Sequence, residues 1–148
     1  MTTITLVLCI GNRDHGDDTI GPYIADHAPP IPDTIFLDAG TTPENTTATI
    51  KRHHPTRLIL IDAATMDLPP GTIRRIPPTK IQTLCASTHG LSLSLLIDYL
   101  IPTIPDITLI GIQPKTLTGP LSPEAKAAAD TFLRLLRQHK IEEIPYLH

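Results

Sequence analysis

Short runs of branched apolar residues alternate along this chain with segments whose apolar residues recur every three to four positions. The first run, Thr3 to Ile10, reads as a buried strand, because Ile, Val, Leu and Thr suit a pleated surface. Gly11 and Asn12 open a loop to Asp17, after which Asp18 can cap a helix carrying Ile20, Tyr23, Ile24 and His27. Thr34 to Leu37 predicts a short second strand ending at Asp38. Thr42-Pro43-Glu44 reads as a helix start, with a capping hydroxyl, a proline at the first helical position and an acid in the first turn. Arg57 to Ile61 predicts a third strand that delivers Asp62 at its C-terminal end. After the turn Pro69-Pro70-Gly71, Thr72 to Ile76 reads as a short strand at an edge or antiparallel. Leu91 to Leu100 predicts a helix with Leu91, Leu95 and Leu96 on one face, and Asp106 to Ile112 another strand. Ser122-Pro123-Glu124 starts a last helix, in which Ala125, Ala128, Ala129, Phe132, Leu135 and Leu136 keep the helical period.

Apolar strands alternating with amphipathic helices favour an α/β fold, its mostly parallel sheet covered on both faces. The length of 148 residues suits a single domain, 1–148, with one core. No repeat or linker divides the chain, and the tail after Lys140 is too short for a second domain. Proline punctuates the loops, as at Pro29-Pro30, Pro69-Pro70 and Pro77-Pro78.

Hydrophobic residues make up 41% of the chain and the formal net charge is -3. A packed globule is therefore feasible, and no basic surplus calls for nucleic acid or an anionic membrane. Two cysteines do not make a disulfide framework. Cys9, inside an apolar run, reads as a small buried hydrophobe. The N-terminus lacks a basic region, and its apolar run is too short for a signal peptide or a spanning helix. A cytoplasmic, soluble, monomeric protein is expected.

In open α/β sheets the working crevice lies at the carboxyl ends of the strands. Asp18 follows the first strand, Asp62 ends the third, and His89 sits in a loop just before a helix. If the strands are parallel, all three converge on one rim. Two carboxylates and an imidazole suit borderline divalent metals such as nickel, zinc or cadmium, and they leave coordination positions open. Each residue alone has a plainer reading: a helix cap for Asp18, a turn or cap for Asp62, a polar loop residue for His89. Only their joint placement lifts the metal reading above these.

Other chemistries fit less well. The loop from Gly11 to Asp18 joins a strand to a helix, but it lacks the Lys-Ser or Lys-Thr of a P-loop and dinucleotide-type glycine spacing. Asp17 and Asp18 would also repel a phosphate. There is no Gly-x-Ser-x-Gly elbow for a serine hydrolase. Cys85, four residues before His89, reads as a partly buried structural cysteine rather than a ligand or nucleophile. His53-His54 suit a helix end, and Glu142-Glu143 a solvated stretch.

Five blocks in order carry a resemblance: Ile10-Gly11-Asn12 with Asp17-Asp18, Asp38 to Asn45, Leu58 to Ala63, Ser87-Thr88-His89, and Gly111-Ile112-Gln113-Pro114. Together they resemble the nickel–iron hydrogenase maturation endopeptidases over nearly the whole chain, in particular the formate-hydrogenlyase (hydrogenase 3) type branch. Thr19 and Ala39 stand where that pattern usually has glycine. The resemblance implies a three-layer αβα sandwich with a twisted, mostly parallel five-stranded sheet. It implies an endopeptidase that removes the C-terminal extension of a hydrogenase large-subunit precursor after nickel insertion, cutting after a basic residue. It puts the catalytic and metal-ligating roles on Asp18, Asp62 and His89, with Asp17 as a neighbour only. Nickel would arrive with the precursor, and zinc or cadmium could act as surrogates. The competing expectations are a nickel-sensing chaperone that binds the precursor without cutting it, and a small-molecule or nucleotide-binding domain, against which the acidic loop argues.

Overall fold

The computed structural model describes residues 3–81 and 89–148. In chain order the elements are β1 (Thr5–Ile10), α1 (Ile20–His27), β2 (Thr34–Gly40), α2 (Thr47–Arg52), β3 (Arg57–Ala63), β4 (Ile73–Ile76), α3 (His89–Leu100), β5 (Asp106–Ile112) and α4 (Pro123–Arg137). The five strands form one sheet in the order β2-β1-β3-β5-β4. The first four in that row are parallel, and β4 pairs antiparallel with β5 at the edge.

Strand alternation explains why the apolar runs are nearly continuous. Val7, Cys9, Ile59, Ile61, Ile110 and Ile112 point to one face and pack on Ile20 and Ile24 of α1 and Phe132 and Ala129 of α4. Leu6, Leu8, Leu58, Leu60 and Leu109 point to the other and meet Ile50 of α2 and Leu93, Leu96 and Leu100 of α3. Each central strand is buried on both sides, so it needs an apolar residue at every position. Cys9 is fully buried, and that burial, with lesser repulsion from Asp38 and Asp26, pushes its thiol up to about 12.

The last helix starts as its sequence predicts: Ser122 Oγ accepts from Ala125 N–H at 3.2 Å, with Pro123 in the first turn. Elsewhere the structure shifts the expectations. Thr19 occupies the cap position of α1, so Asp18 lies in the 3-10 turn Gly16–Thr19 before it. Pro43–Thr46 is also a 3-10 turn, and α2 begins only at Thr47. On α3, Leu95 is 60% exposed while Leu93, Leu96, Ile97 and Leu100 are buried. With leucine at so many positions of that segment, more than one stripe matches the helical period, and packing on the sheet selects the one containing Leu93.

The C-terminal tail does more than its length suggests. Ile141 and Ile144 enter the core, and Tyr146 bridges in parallel to Arg75 on β4. Arg75 Nε donates to Ile144 O at 2.7 Å, and its guanidinium lies 4.0 Å from the Tyr146 ring centroid. The tail thereby covers part of an edge strand that would otherwise invite pairing with another chain.

Helix α1 lies so close over the end of β1 that a Cβ on Gly21 would stand 2.2 Å from Ile10 O. The clash is with backbone and cannot be relieved by a side-chain rotation. Gly21→Ala is expected to lower unfolding free energy by at least about 2 kcal/mol, read from urea denaturation. An unchanged midpoint would contradict this packing.

Candidate functional site

The strand order reverses beside β1: β2 lies on one side of it and β3 on the other. At such a reversal the following connections leave on opposite faces, which opens a crevice at the strands' carboxyl ends. The two strands that flank it deliver Asp18 and Asp62. The turn Gly16–Thr19 packs against β3, so the segments carrying these two acids are in contact.

Asp18 is half-buried. Asn12 N–H donates to its carboxylate Oδ2 at 3.2 Å and to its backbone O at 3.1 Å. Gly11 beneath it is required by close approach, since a Cβ there would lie 2.0 Å from Asp18 O. Thr19 has φ -75°, a right-handed helical conformation, so glycine has no conformational advantage there. Its hydroxyl instead donates to Arg13 O at 2.6 Å, which ties the loop's two ends together.

Asp17, expected only as a neighbour, is fully buried. Its Oδ1 accepts from Ser122 N–H at 2.7 Å. Its Oδ2 accepts from Ser122 Oγ–H and Lys115 N–H, each at 2.7 Å. Its own N–H donates to Thr116 O at 2.8 Å. A buried carboxylate is tolerated only with such compensation. Two consecutive acids in a sequence do not show which one turns inward, and the partners lie about a hundred residues away.

Asp62 sits near the end of β3, opposite Gly111 of β5, and is 1% exposed. By alternation with Leu58 and Leu60 it faces the layer that holds α3. The segment just beyond it is held by Gln113, itself buried. Gln113 Oε1 accepts from Met66 N–H at 2.6 Å and from Leu68 N–H at 3.4 Å. That gives the Gly111–Pro114 block a physical role that the sequence alone did not assign.

His89 is the first residue of α3. That helix turns through residues 101–105 into the start of β5, so its opposite end, with His89, lies toward the rim where Asp18 and Asp62 emerge. The side chain of His89 lies outside the described residues, as do Cys85, Ser87 and Thr88. Among the described residues, no group of three or more His, Cys, Asp or Glu side chains could hold a metal ion.

At the same rim Arg13 bridges two further acids. Its guanidinium donates to Asp26 at 2.6 and 3.0 Å and to Asp38 at 2.7 Å. The hydrogen bond from Arg13 holds the Asp26 carboxyl below its ordinary range, and Arg13 itself is held more firmly protonated. These groups are solvent-exposed, so the pairs order the loop more than they stabilise the fold.

A model of the HycI family, described as hydrogenase maturation protease, matches residues 25–139. The hydrogenase 3 maturation protease of Escherichia coli strain K12 is 37% identical over 136 residues, covering 88% of this chain and 87% of that one. The solution structure of the endopeptidase HycI from Escherichia coli matches with a TM-score of 0.90 at 34% identity, over 99% of this chain and 97% of that chain. The crystal structure of a [NiFe] hydrogenase maturation protease HycI from Thermococcus kodakarensis KOD1 matches with a TM-score of 0.80 at 27% identity, over 93% and 92% of the two chains.

Removing the Gln113 amide leaves Met66 N–H buried without its acceptor. Gln113→Ala is expected to cost about 1–3 kcal/mol in chemical denaturation, and Gln113→Glu to lose stability as well, because the amide that donates to Pro114 O becomes a buried carboxylate oxygen facing that carbonyl. Equal stability of all three proteins would contradict the role given to this side chain.

Proposed function

The chain belongs to the HycI family of hydrogenase maturation proteases, and from that premise we propose that it trims the C-terminal extension from the large-subunit precursor of a nickel–iron hydrogenase once nickel is in place. It is a hydrogenase maturation endopeptidase, so the reaction is hydrolysis of a peptide bond. In this proposal Asp18, Asp62 and His89 read the nickel that the precursor carries.

The observation that carries the reading is the delivery of two carboxylates by the two strands beside the reversal of strand order, with His89 starting the helix on Asp62's face. Oxygen, oxygen and imidazole nitrogen form a borderline donor set, and with so few protein donors they would hold a free ion weakly. Nickel already bound to the precursor's thiolates would leave room for these donors. Recognition would then be a checkpoint, because a precursor without nickel lacks the handle. Zinc or cadmium could stand in for nickel in binding experiments.

A metal at this position supplies Lewis-acid chemistry, polarising a carbonyl or activating water. The chain's own part is to orient. Asp18 is fixed through the Asn12 amide, and Asp62 at 1% exposure has little bulk water to displace when the precursor docks. A carboxylate engaged with a metal is a poor general base, so the two aspartates act first as positioners of the substrate's metal. Membership in a protease family weighs against a chaperone that binds without cutting. No described helix is long and apolar enough to cross a membrane.

Asp18→Ala, Asp62→Ala and His89→Ala are each expected to slow processing of the nickel-loaded precursor by about 100-fold or more, with native circular dichroism retained. Shortening of the large subunit on a gel is the readout. Cleavage of nickel-free precursor at the same rate as the loaded form would sink the checkpoint, and wild-type rates in all three variants would sink the site.

A further inference from the structure

We infer that Asp17 is a positioning residue for Asp18, acting as a buried latch that fixes the turn Gly16–Thr19 against the start of α4. The inference rests on the reading of Asp18 as a donor to the substrate's metal.

The turn is short and polar, and hydrophobic packing alone gives it little to hold. Beside its contact with β3 and the bonds of Asn12 and Thr19, it is fastened by the segment 115–122. Ser122 N–H, Ser122 Oγ–H and Lys115 N–H all converge on the Asp17 carboxylate at 2.7 Å. Asp17 N–H reaches Thr116 O at 2.8 Å, and Gly16 N–H reaches Gly119 O at 3.1 Å. Ser122 Oγ meanwhile accepts from Ala125 N–H, so the carboxylate is fastened to the group that caps a fifteen-residue helix. That helix packs on α1, which continues from the turn. The latch therefore closes a ring: turn, α1, α4, its cap, and back to the turn. Asp18 shares a peptide bond with the latched residue. Fixing the backbone of Asp17 sets the direction of the Asp18 side chain, and donor placement within a fraction of an ångström governs how well a metal is met.

A merely structural Asp17 would weaken the whole fold without regard to Asp18. A positioning Asp17 affects metal binding through Asp18, so whatever it contributes to the fold, it has no further effect on metal affinity when that side chain is gone. The test is a double-mutant cycle of Asp17→Asn with Asp18→Ala, read by calorimetric titration with cadmium ions and by kcat/KM for precursor processing. Ser122→Ala is the milder break from the other side, and Ser122→Thr keeps the hydroxyl. The expected result is about tenfold weaker cadmium binding in Asp17→Asn, a smaller loss in Ser122→Ala, recovery in Ser122→Thr, and no further loss when Asp17→Asn is added to Asp18→Ala. Equal losses in both backgrounds, or undiminished affinity in folded Asp17→Asn and Ser122→Ala, would overturn the inference alone. An Asp18→Ala protein with wild-type affinity and processing would overturn the metal reading beneath it.

Discussion

The reversal of strand order beside β1 is the constraint from which the rest of the molecule follows. A parallel sheet whose central strands are buried on both faces offers no exposed polar surface of its own. Function must sit at a rim, and only at the reversal do adjacent connections diverge and leave a crevice. β1 and β3 flank that point, and each ends in a segment carrying an aspartate. The apolar runs of these strands fix where the carboxylates emerge, because a one-residue slip would turn Asp62 to the opposite face of the sheet.

The hydrophobic core explains the sheet and helices but not the loops above them. Two buried polar groups do that work. The Asp17 carboxylate gathers the turn after β1 onto the start of α4, and the Gln113 amide gathers the segment after β3 onto the end of β5. Both fasten backbone N–H groups that would otherwise be costly to bury. Arg13 adds an exposed clamp between Asp26 and Asp38. The rim is thus shaped by hydrogen bonds between segments far apart in the chain.

That distance explains what could be read from the sequence. Strands were legible because continuous branched apolar residues have few other fates, and the start of α4 because Ser122-Pro123-Glu124 is a local chemical signal. The edge position of β4 followed from its closely flanking turns. The buried face of α3 was legible only in part: Leu96 is buried as expected, but leucines at nearby positions fit several stripes, and only packing into the cluster with Leu58, Leu60 and Leu109 selects Leu93 over Leu95. The roles of Asp17 and Gln113 were hidden for a related reason: their partners are Ser122 and Met66, and no local pattern records that. The tail's packing was hidden because its core residues, Ile141 and Ile144, are too few to show a period. Asp18 and Asp62 could be placed at the strand ends by topology alone, and the family pattern singled them out.

The central claim is that this chain's oxygen and nitrogen donors join the precursor's thiolates on one nickel ion. X-ray absorption at the nickel edge, on the complex of this protein with a nickel-loaded precursor, measures that directly. Compared with the precursor alone, the complex should gain oxygen or nitrogen scatterers at about 2.0–2.2 Å beside the sulfur shell, and Asp62→Ala should diminish the gain. A nickel spectrum unchanged on complex formation would contradict the account.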